Sequence, residues 1–179
     1  MSLSAAPPLA VAIIGAGPLG RSLALAAARA GYRVFLEDVM PANLHSAQQA
    51  FSGLDSGRIA FVSTIEDAVR DADLAIDCVP DELESKLEIF CLLDRMAPPR
   101  TVLATPTTQL SIADLAACTY RAGKCIAIAA DPRSLAIEPG RELSLLATSN
   151  TEPRAAALAR EFFSALGFTV TLARDPAEP

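Results

Sequence analysis

Three glycines, Gly15, Gly17 and Gly20, stand on a G-x-G-x-x-G spacing between the apolar run Val11-Ala12-Ile13-Ile14 and an alanine-rich run from Ser22 to Ala30. The pattern reads as strand, tight turn and helix, and its chemistry is the holding of a pyrophosphate. The first glycine permits the turn, the second lets backbone approach phosphate oxygens, and the third lets the helix pack closely on the strand. The helix N-terminus adds free N–H groups and a partial positive charge. Pro18 and Leu19 complete the cradle; Pro18 suits a first helical turn but has no N–H, so one potential phosphate donor is missing.

A carboxylate follows at a telling distance. Gly31 ends the first helix, Tyr32 to Leu36 forms a second apolar strand, and Asp38 lies 18 residues beyond Gly20. An acid there hydrogen-bonds the ribose hydroxyls of adenosine and repels a 2′-phosphate. No Arg or Lys occurs in Val39-Met40-Pro41, which favours NAD over NADP. Glu37 next door is the alternative ribose acid, and either carboxylate can simply end a strand.

These residues must be positioned by elements, and the chain supplies them in alternation. Pro41 to Phe51 reads as a helix with Leu44, Ala47 and Phe51 on one face, broken by Gly53 and Gly57. Ile59 to Val62 reads as a strand, with Thr64 and Asp67 spaced as a capping box for a short helix through Val69. Leu74 to Val79 is a buried strand ending in Pro80. Asp81 is expected to cap a helix from Glu82 to Arg95 that turns Leu83, Leu87 and Phe90 inward. A strand from Thr101 to Ala104 leads into a polar loop, Thr105-Pro106-Thr107-Thr108-Gln109, and Ser111 with Asp114 starts a helix to about Arg121. Lys124 to Ala129 is a sixth strand. The pattern loosens over Asp131 to Gly140, and Leu143 to Thr148 is a strand. Thr151 is expected to cap a helix carrying Leu158, Phe162 and Leu166, which Gly167 ends. Phe168, Val170 and Leu172 alternate as an edge strand, followed by a frayed tail from Asp175. Such alternation with short connections specifies an α/β fold: one doubly wound, mainly parallel sheet in a single domain, with its core over about residues 8–174.

Composition agrees with that class. At 179 residues, 51% hydrophobic and 20% charged, the chain has enough apolar surface for one core. The apolar residues are dispersed, so no transmembrane helix is expected, and Met1 to Leu9 has neither the basic nor the apolar part of a signal peptide. The net charge of −6 argues against nucleic acid as a partner. Cys78, Cys91, Cys118 and Cys125 lack metal-ligand spacing and read as small buried hydrophobes in a reducing cytoplasm. The single histidine, His45, reads as a helix-surface residue, and no metal site is expected.

By its fourth strand the sequence resembles the N-terminal NAD-binding domain of the L-3-hydroxyacyl-CoA dehydrogenases. The likeness is carried by Val11 to Ala30, by Ala72 to Lys86, by Ala97 to Leu115, and by the last helix and strand with Arg174-Asp175. The resemblance implies that Asp38 is the ribose acid, that Asp81 is a strand-end carboxylate toward the cofactor, and that Lys86 is a lysine reaching it. From the residues alone, Asp81 is a helix cap and Lys86 part of a solvated face. The resemblance further matches Thr108 to the family's substrate-contacting serine. Ligands in open α/β sheets bind beyond the carboxyl ends of strands, which puts Val79, Pro80, Thr105, Thr107 and Thr108 near the nicotinamide end; Thr108 can equally be a turn residue.

The departures matter as much. The family's catalytic base is a histidine just after the sixth strand, and counting forward from Thr108 puts Ala129 in its place. Asp131, beside Arg133, is the one nearby candidate to move a proton, although an Asp beside an Arg in a loop more often caps a turn. The family also carries a helical C-terminal domain that dimerises and closes the site. Two readings stand: a chain that works without that domain, or a piece ending at its boundary. Uncovered aliphatics in Leu135 to Leu146 then predict a homodimer, or a separate partner chain replacing the missing domain. Three functions remain open. One is an NAD-dependent oxidoreductase with divergent or lost chemistry, and another a non-catalytic NAD(H)-binding sensor or partner subunit. The third is a small reductase of the 3-hydroxyisobutyrate dehydrogenase type.

Overall fold

A computed structural model describes residues 9–53 and 58–178; Gly57, one of the expected helix breakers, lies outside them. Strand β1 (Ala10–Ile14) is buried along its whole length, and it is followed by α1 (Pro18–Arg29), β2 (Arg33–Glu37), α2 (Pro41–Ala50), β3 (Ile59–Val62), α3 (Ile65–Val69) and β4 (Leu74–Asp77). Next come α4 (Leu83–Met96), β5 (Val102–Thr107), α5 (Ile112–Ala117), β6 (Cys125–Ala129), β7 (Glu142–Ala147), α6 (Pro153–Ala165) and β8 (Thr169–Arg174). The eight strands form one sheet in the order β3-β2-β1-β4-β5-β6-β7-β8, parallel except where β7 runs antiparallel to β6. The chain leaves β1 toward β2 and later returns to β4 on its other side. That reversal opens a crevice at the carboxyl ends of β1 and β4, where such sheets bind ligands.

Strands covered on both faces read as continuous apolar runs; β1 and β6 do throughout, β4 as far as Asp77 and β5 as far as Ala104. On one face Leu23, Ala24 and Ala27 of α1 and Ala159, Phe162 and Phe163 of α6 pack against Ile13, Leu36, Ile76 and Ile128. On the other, Ala68 of α3, Phe90 and Leu93 of α4, and Ile112 and Leu115 of α5 cover Ala12, Ala75, Leu103 and Ala127. Gly31 and Gly167, after the two long helices of the first face, have φ of +98° and +99°, the left-handed conformation in which glycine ends helices.

Several local expectations fail, each for a physical reason. The Thr105 to Thr107 loop is strand: β5 runs on beside β6, and beyond Ala104 it is paired on that side alone, where a residue without an N–H, Pro106, can sit. Asp81 does not cap α4, whose N-cap is Glu82 with no side-chain cap bond; the Asp81 carboxylate turns instead to Thr108. Helix α4 is rotated from the expected face, burying Lys86, Phe90 and Leu93 and leaving Leu83 exposed. Thr151 does not cap α6 either, since its hydroxyl accepts the N–H of Thr148 at 2.9 Å. The tail is pinned: Asp175 is buried, and the Glu178 carboxylate accepts the Ser149 N–H at 2.9 Å. Finally, of the aliphatics expected to form a dimer surface, some belong to the chain's own core and the others are only partly buried against it. Leu143 and Leu145 are buried, and Leu135 and Ile137 pack against the same cluster.

Candidate functional site

The glycine loop shows three different needs. Gly15 has φ of +103°, so a side chain there would be strained. A Cβ on Gly20 would lie 1.8 Å from the Gly15 carbonyl oxygen, whereas one on Gly17 would meet nothing within 4 Å. Gly20 is therefore required by packing, and Gly17 leaves open space over the N-terminus of α1. Pro18 occupies the first helical position.

Asp38 ties the end of β2 to this loop. Its Oδ2 accepts the Ala16 N–H at 2.9 Å and the Asn43 side-chain amide at 3.0 Å, while Oδ1 accepts the Met40 N–H at 2.8 Å. Asp38 lines a cleft of about 810 Å³ together with Gly15, Gly17, Pro18 and Leu19 on one side and Val79, Pro80 and Asp81 on another. A further wall is Pro132 to Ala136; of these the sequence pointed to Arg133 only as the neighbour of Asp131 and to Leu135 only as an uncovered aliphatic. Glu37 is buried outside this cleft, in the register row of Ile14 and Val62. Burial, and next the charge of Asp38, push its carboxyl up to about 7. Asn43 was also missed; its only signal was an amide two residues into a helix that starts beside Asp38.

A smaller cavity of about 370 Å³ lies beyond β5 and β6, lined by Thr107, Thr108, Leu110, Ala129, Leu146 and Asp175 among others. The register pairs Thr107 with Ala129, and Ala129, where the resemblance puts the family's base, lines the same cavity as Thr108. The carboxylate in this cavity, Asp175, accepts the Ser111 hydroxyl at 2.8 Å and the Ala113 N–H at 3.1 Å. Burial works to raise it, but bonds from Ala177, Ser111, Ala113 and Ile112 hold it below the usual carboxylate range, which makes it a strut for the tail and a poor base. Asp131 lines neither cavity. Its Oδ1 accepts the Arg133 N–H at 2.8 Å, a turn cap, and the Arg133 guanidinium is 3.7 Å away and mostly in solvent. Thr108 and Asp131 are thus not brought to one place.

Asp81, in the wall of the larger cleft, bonds a residue of the smaller cavity. Its Oδ2 accepts the Thr108 N–H at 3.1 Å, and its Oδ1 is buried without a hydrogen-bond partner. A buried carboxylate oxygen left unsatisfied is costly, and in the cleft wall it is placed to accept from a bound ligand's hydroxyl or amide.

Lys86 and Thr105 lie beneath the cleft, not in it. Both are fully buried, which corrects the solvated-face reading of Lys86 and the loop reading of Thr105. The Lys86 ammonium donates to Thr105 Oγ1 at 2.8 Å, to Asp77 Oδ2 at 3.3 Å and to the Val79 carbonyl at 3.5 Å. Burial pushes the Asp77 carboxyl up, and the Lys86 ammonium, the Val79 N–H and the Thr105 hydroxyl pull it back. The Cys78 thiol, in the cleft wall, is pushed up by burial and next by the Asp77 charge, with the Lys86 ammonium pulling it back. His45 is exposed on α2, its Nε2 2.9 Å from Gln49 Nε2. Among the described residues no helix is long and apolar enough to cross a membrane.

The glycine cradle, the Asp38 carboxylate beside it and the orphaned Asp81 oxygen are donors and acceptors suited to a dinucleotide, and comparison with known proteins agrees. The family model described as 3-hydroxyacyl-CoA dehydrogenase, NAD binding domain, matches residues 10–175. A probable 3-hydroxybutyryl-CoA dehydrogenase of Bacillus subtilis is 32% identical over 133 residues, covering 65% of this chain and 46% of its own length. A 3-hydroxybutyryl-CoA dehydrogenase of Bradyrhizobium diazoefficiens is 29% identical over 182 residues, covering 92% of this chain and 61% of its own. A solved diketoreductase superposes with a TM-score of 0.84 at 26% identity, over 98% of this chain and 66% of that one. The chain spans between about half and two thirds of the length of these relatives. Fold, cradle and matched span converge on one assignment: this chain belongs to the 3-hydroxyacyl-CoA dehydrogenase family, as its NAD-binding domain.

Proposed function

We propose that the chain holds NAD(H) in the larger cleft, with the pyrophosphate over Gly17 to Gly20, the adenosine ribose at Asp38 and the nicotinamide half toward Val79, Pro80 and Asp81. The observation that carries this is the open space over Gly17 beside a carboxylate that already bridges β2 to the loop. The larger cleft and the Thr108 cavity are joined by the Asp81–Thr108 bond, so a carbonyl or hydroxyl substrate in the second would lie beside the nicotinamide in the first. Bound NAD supplies the hydride chemistry. The chain's own groups then orient: the Thr108 hydroxyl toward the reacting oxygen, and Asp81 between cofactor and substrate. This is an oxidoreductase of 3-hydroxyacyl-CoA dehydrogenase kind whose proton transfer does not use the family's histidine.

A nucleotide-binding subunit without catalysis is the second reading, favoured by Ala129 in the cavity of Thr108, with Asp175, already engaged, as the carboxylate lining it. Calorimetric titration tests what both readings share. NAD+ is expected to bind and NADP+ to bind more weakly, because Asp38 would face the 2′-phosphate. Asp38→Ala should cost about 1–3 kcal/mol of NAD+ affinity, as for a hydrogen bond to a charged group. Equal affinity in wild type and variant would remove Asp38 from the ribose. NADH absorbance against 3-oxoacyl, 2-oxo and aldehyde compounds separates the two readings.

A further inference from the structure

We propose that Asp77, Lys86 and Thr105 form a closed network that holds the Cys78–Asp81 turn as the wall against the nicotinamide half of NAD, so that Lys86 acts on the cofactor through Val79 and does not touch it. The inference rests on the cofactor reading above.

Strand β4 ends at Asp77, and the last sheet bond on that side is the Cys78 N–H to the Ile14 carbonyl, 2.8 Å. From there the network takes over from the ladder. Asp77 Oδ1 accepts the Val79 N–H at 2.9 Å, and the Lys86 ammonium reaches the Val79 carbonyl at 3.5 Å. Both backbone groups of Val79 are thus held by side chains. Asp77 Oδ2 also accepts the Thr105 hydroxyl at 3.0 Å, which cross-ties β4 to β5. All three side chains are fully buried, and the ammonium has an oxygen for each of its protons. Lys86 therefore has neither a free proton nor an opening toward the cleft.

The turn it holds is a cofactor wall. The Cys78 carbonyl lies 3.4 Å from where a Cβ on Gly15 would stand, and Cys78, Val79, Pro80 and Asp81 line the cleft across from the glycine loop. Because β2 and Asp38 flank β1 on one side and β4 on the other, a dinucleotide with its ribose at Asp38 places its second half on this turn. Stability alone is a poor account of the network, since a buried ion pair exchanged for apolar residues of similar volume is often neutral or stabilising. What apolar side chains cannot do is hold the Val79 N–H and carbonyl.

The test uses the full chain and two probes: NAD+, and ADP, which carries the adenosine and diphosphate but nothing that would reach the turn. The double variant Asp77→Leu/Lys86→Met keeps side-chain volume and leaves no unpaired charge. It is expected to bind ADP within about twofold of wild type and NAD+ at least about fivefold more weakly, a free-energy loss near 1 kcal/mol. Thr105→Val, which removes one hydroxyl in nearly the same shape, should show the same selective loss in smaller degree, and carries the test if the double variant does not fold. Equal weakening of ADP and NAD+ would overturn the proposal in favour of a lysine acting on the diphosphate. Unchanged binding of both would reduce the network to packing. Wild-type protein that binds neither probe would overturn the cofactor reading, and this inference with it.

Discussion

Glu37 and Asp38 are adjacent carboxylates with opposite surroundings, and the difference has a measurable consequence. Asp38 accepts three bonds from N–H groups, while Glu37 is buried in the row of Ile14 and Val62 beside that charge, which raises its carboxyl to about 7. Its folded value lies above its unfolded one, so between about pH 4.5 and 7 the folded chain binds the extra proton. Stability therefore falls as pH rises through that window and levels off above it. Glu37→Gln cannot lose a proton there. The variant should unfold in urea with a flatter pH dependence than wild type, and at pH 8 should be more stable by about 1–3 kcal/mol. Parallel curves from pH 5 to 8 would show that Glu37 ionises freely. The sequence offered both acids for the ribose; only the strand register, which sends Glu37 to the α3 side, separates them.

At the scale of elements, the strand-turn-helix at the head of the chain assigns different tasks to two glycines one turn apart. Gly20→Ala forces a methyl group against the Gly15 carbonyl, so backbone must shift. Overpacking of this kind costs about 1–3 kcal/mol or more, and urea unfolding should register it even without nucleotide. Gly17→Ala meets no atom, so its stability should stay within about 0.5 kcal/mol while NAD+ binding weakens on the order of tenfold, or 1.4 kcal/mol. Loss of stability at Gly17, or none at Gly20, would invert the assignment. The glycine motif and the alternation of strand and helix were legible in the sequence because each rests on local spacing. The caps at Asp81 and Thr151 were misread because an acid or hydroxyl before a helix has competing partners: Thr108 lies across on β5's far end, and Thr148 back along the chain. Lys86 was misread for the converse reason. Its place on the buried face depends on Asp77 and Thr105, residues of two other strands, and a charge on a helix is assigned to solvent unless such partners are known.

The whole molecule combines the proposed nucleotide cleft with a second cavity in which alanine stands where the resemblance puts the family's base. The register puts Ala129 opposite Thr107 and in the same cavity as Thr108, and a methyl group cannot accept a proton. The groups nearby do not replace it. Asp175 is held below the usual carboxylate range by the bonds that pin the tail, Asp131 caps its own turn outside the cavity, and His45 is exposed on α2 and lines neither cavity. A positioned general base contributes about 10²- to 10⁴-fold in rate. This chain alone is therefore expected to reduce acetoacetyl-CoA with NADH at a rate lower than that of an ordinary enzyme by at least such a factor, even where calorimetry shows NADH bound. Turnover in the range of about 1 to 10³ s⁻¹ would overturn that expectation. It would then direct mutagenesis to Thr108 and Asp81, the hydrogen-bonded pair that links a residue of each cavity.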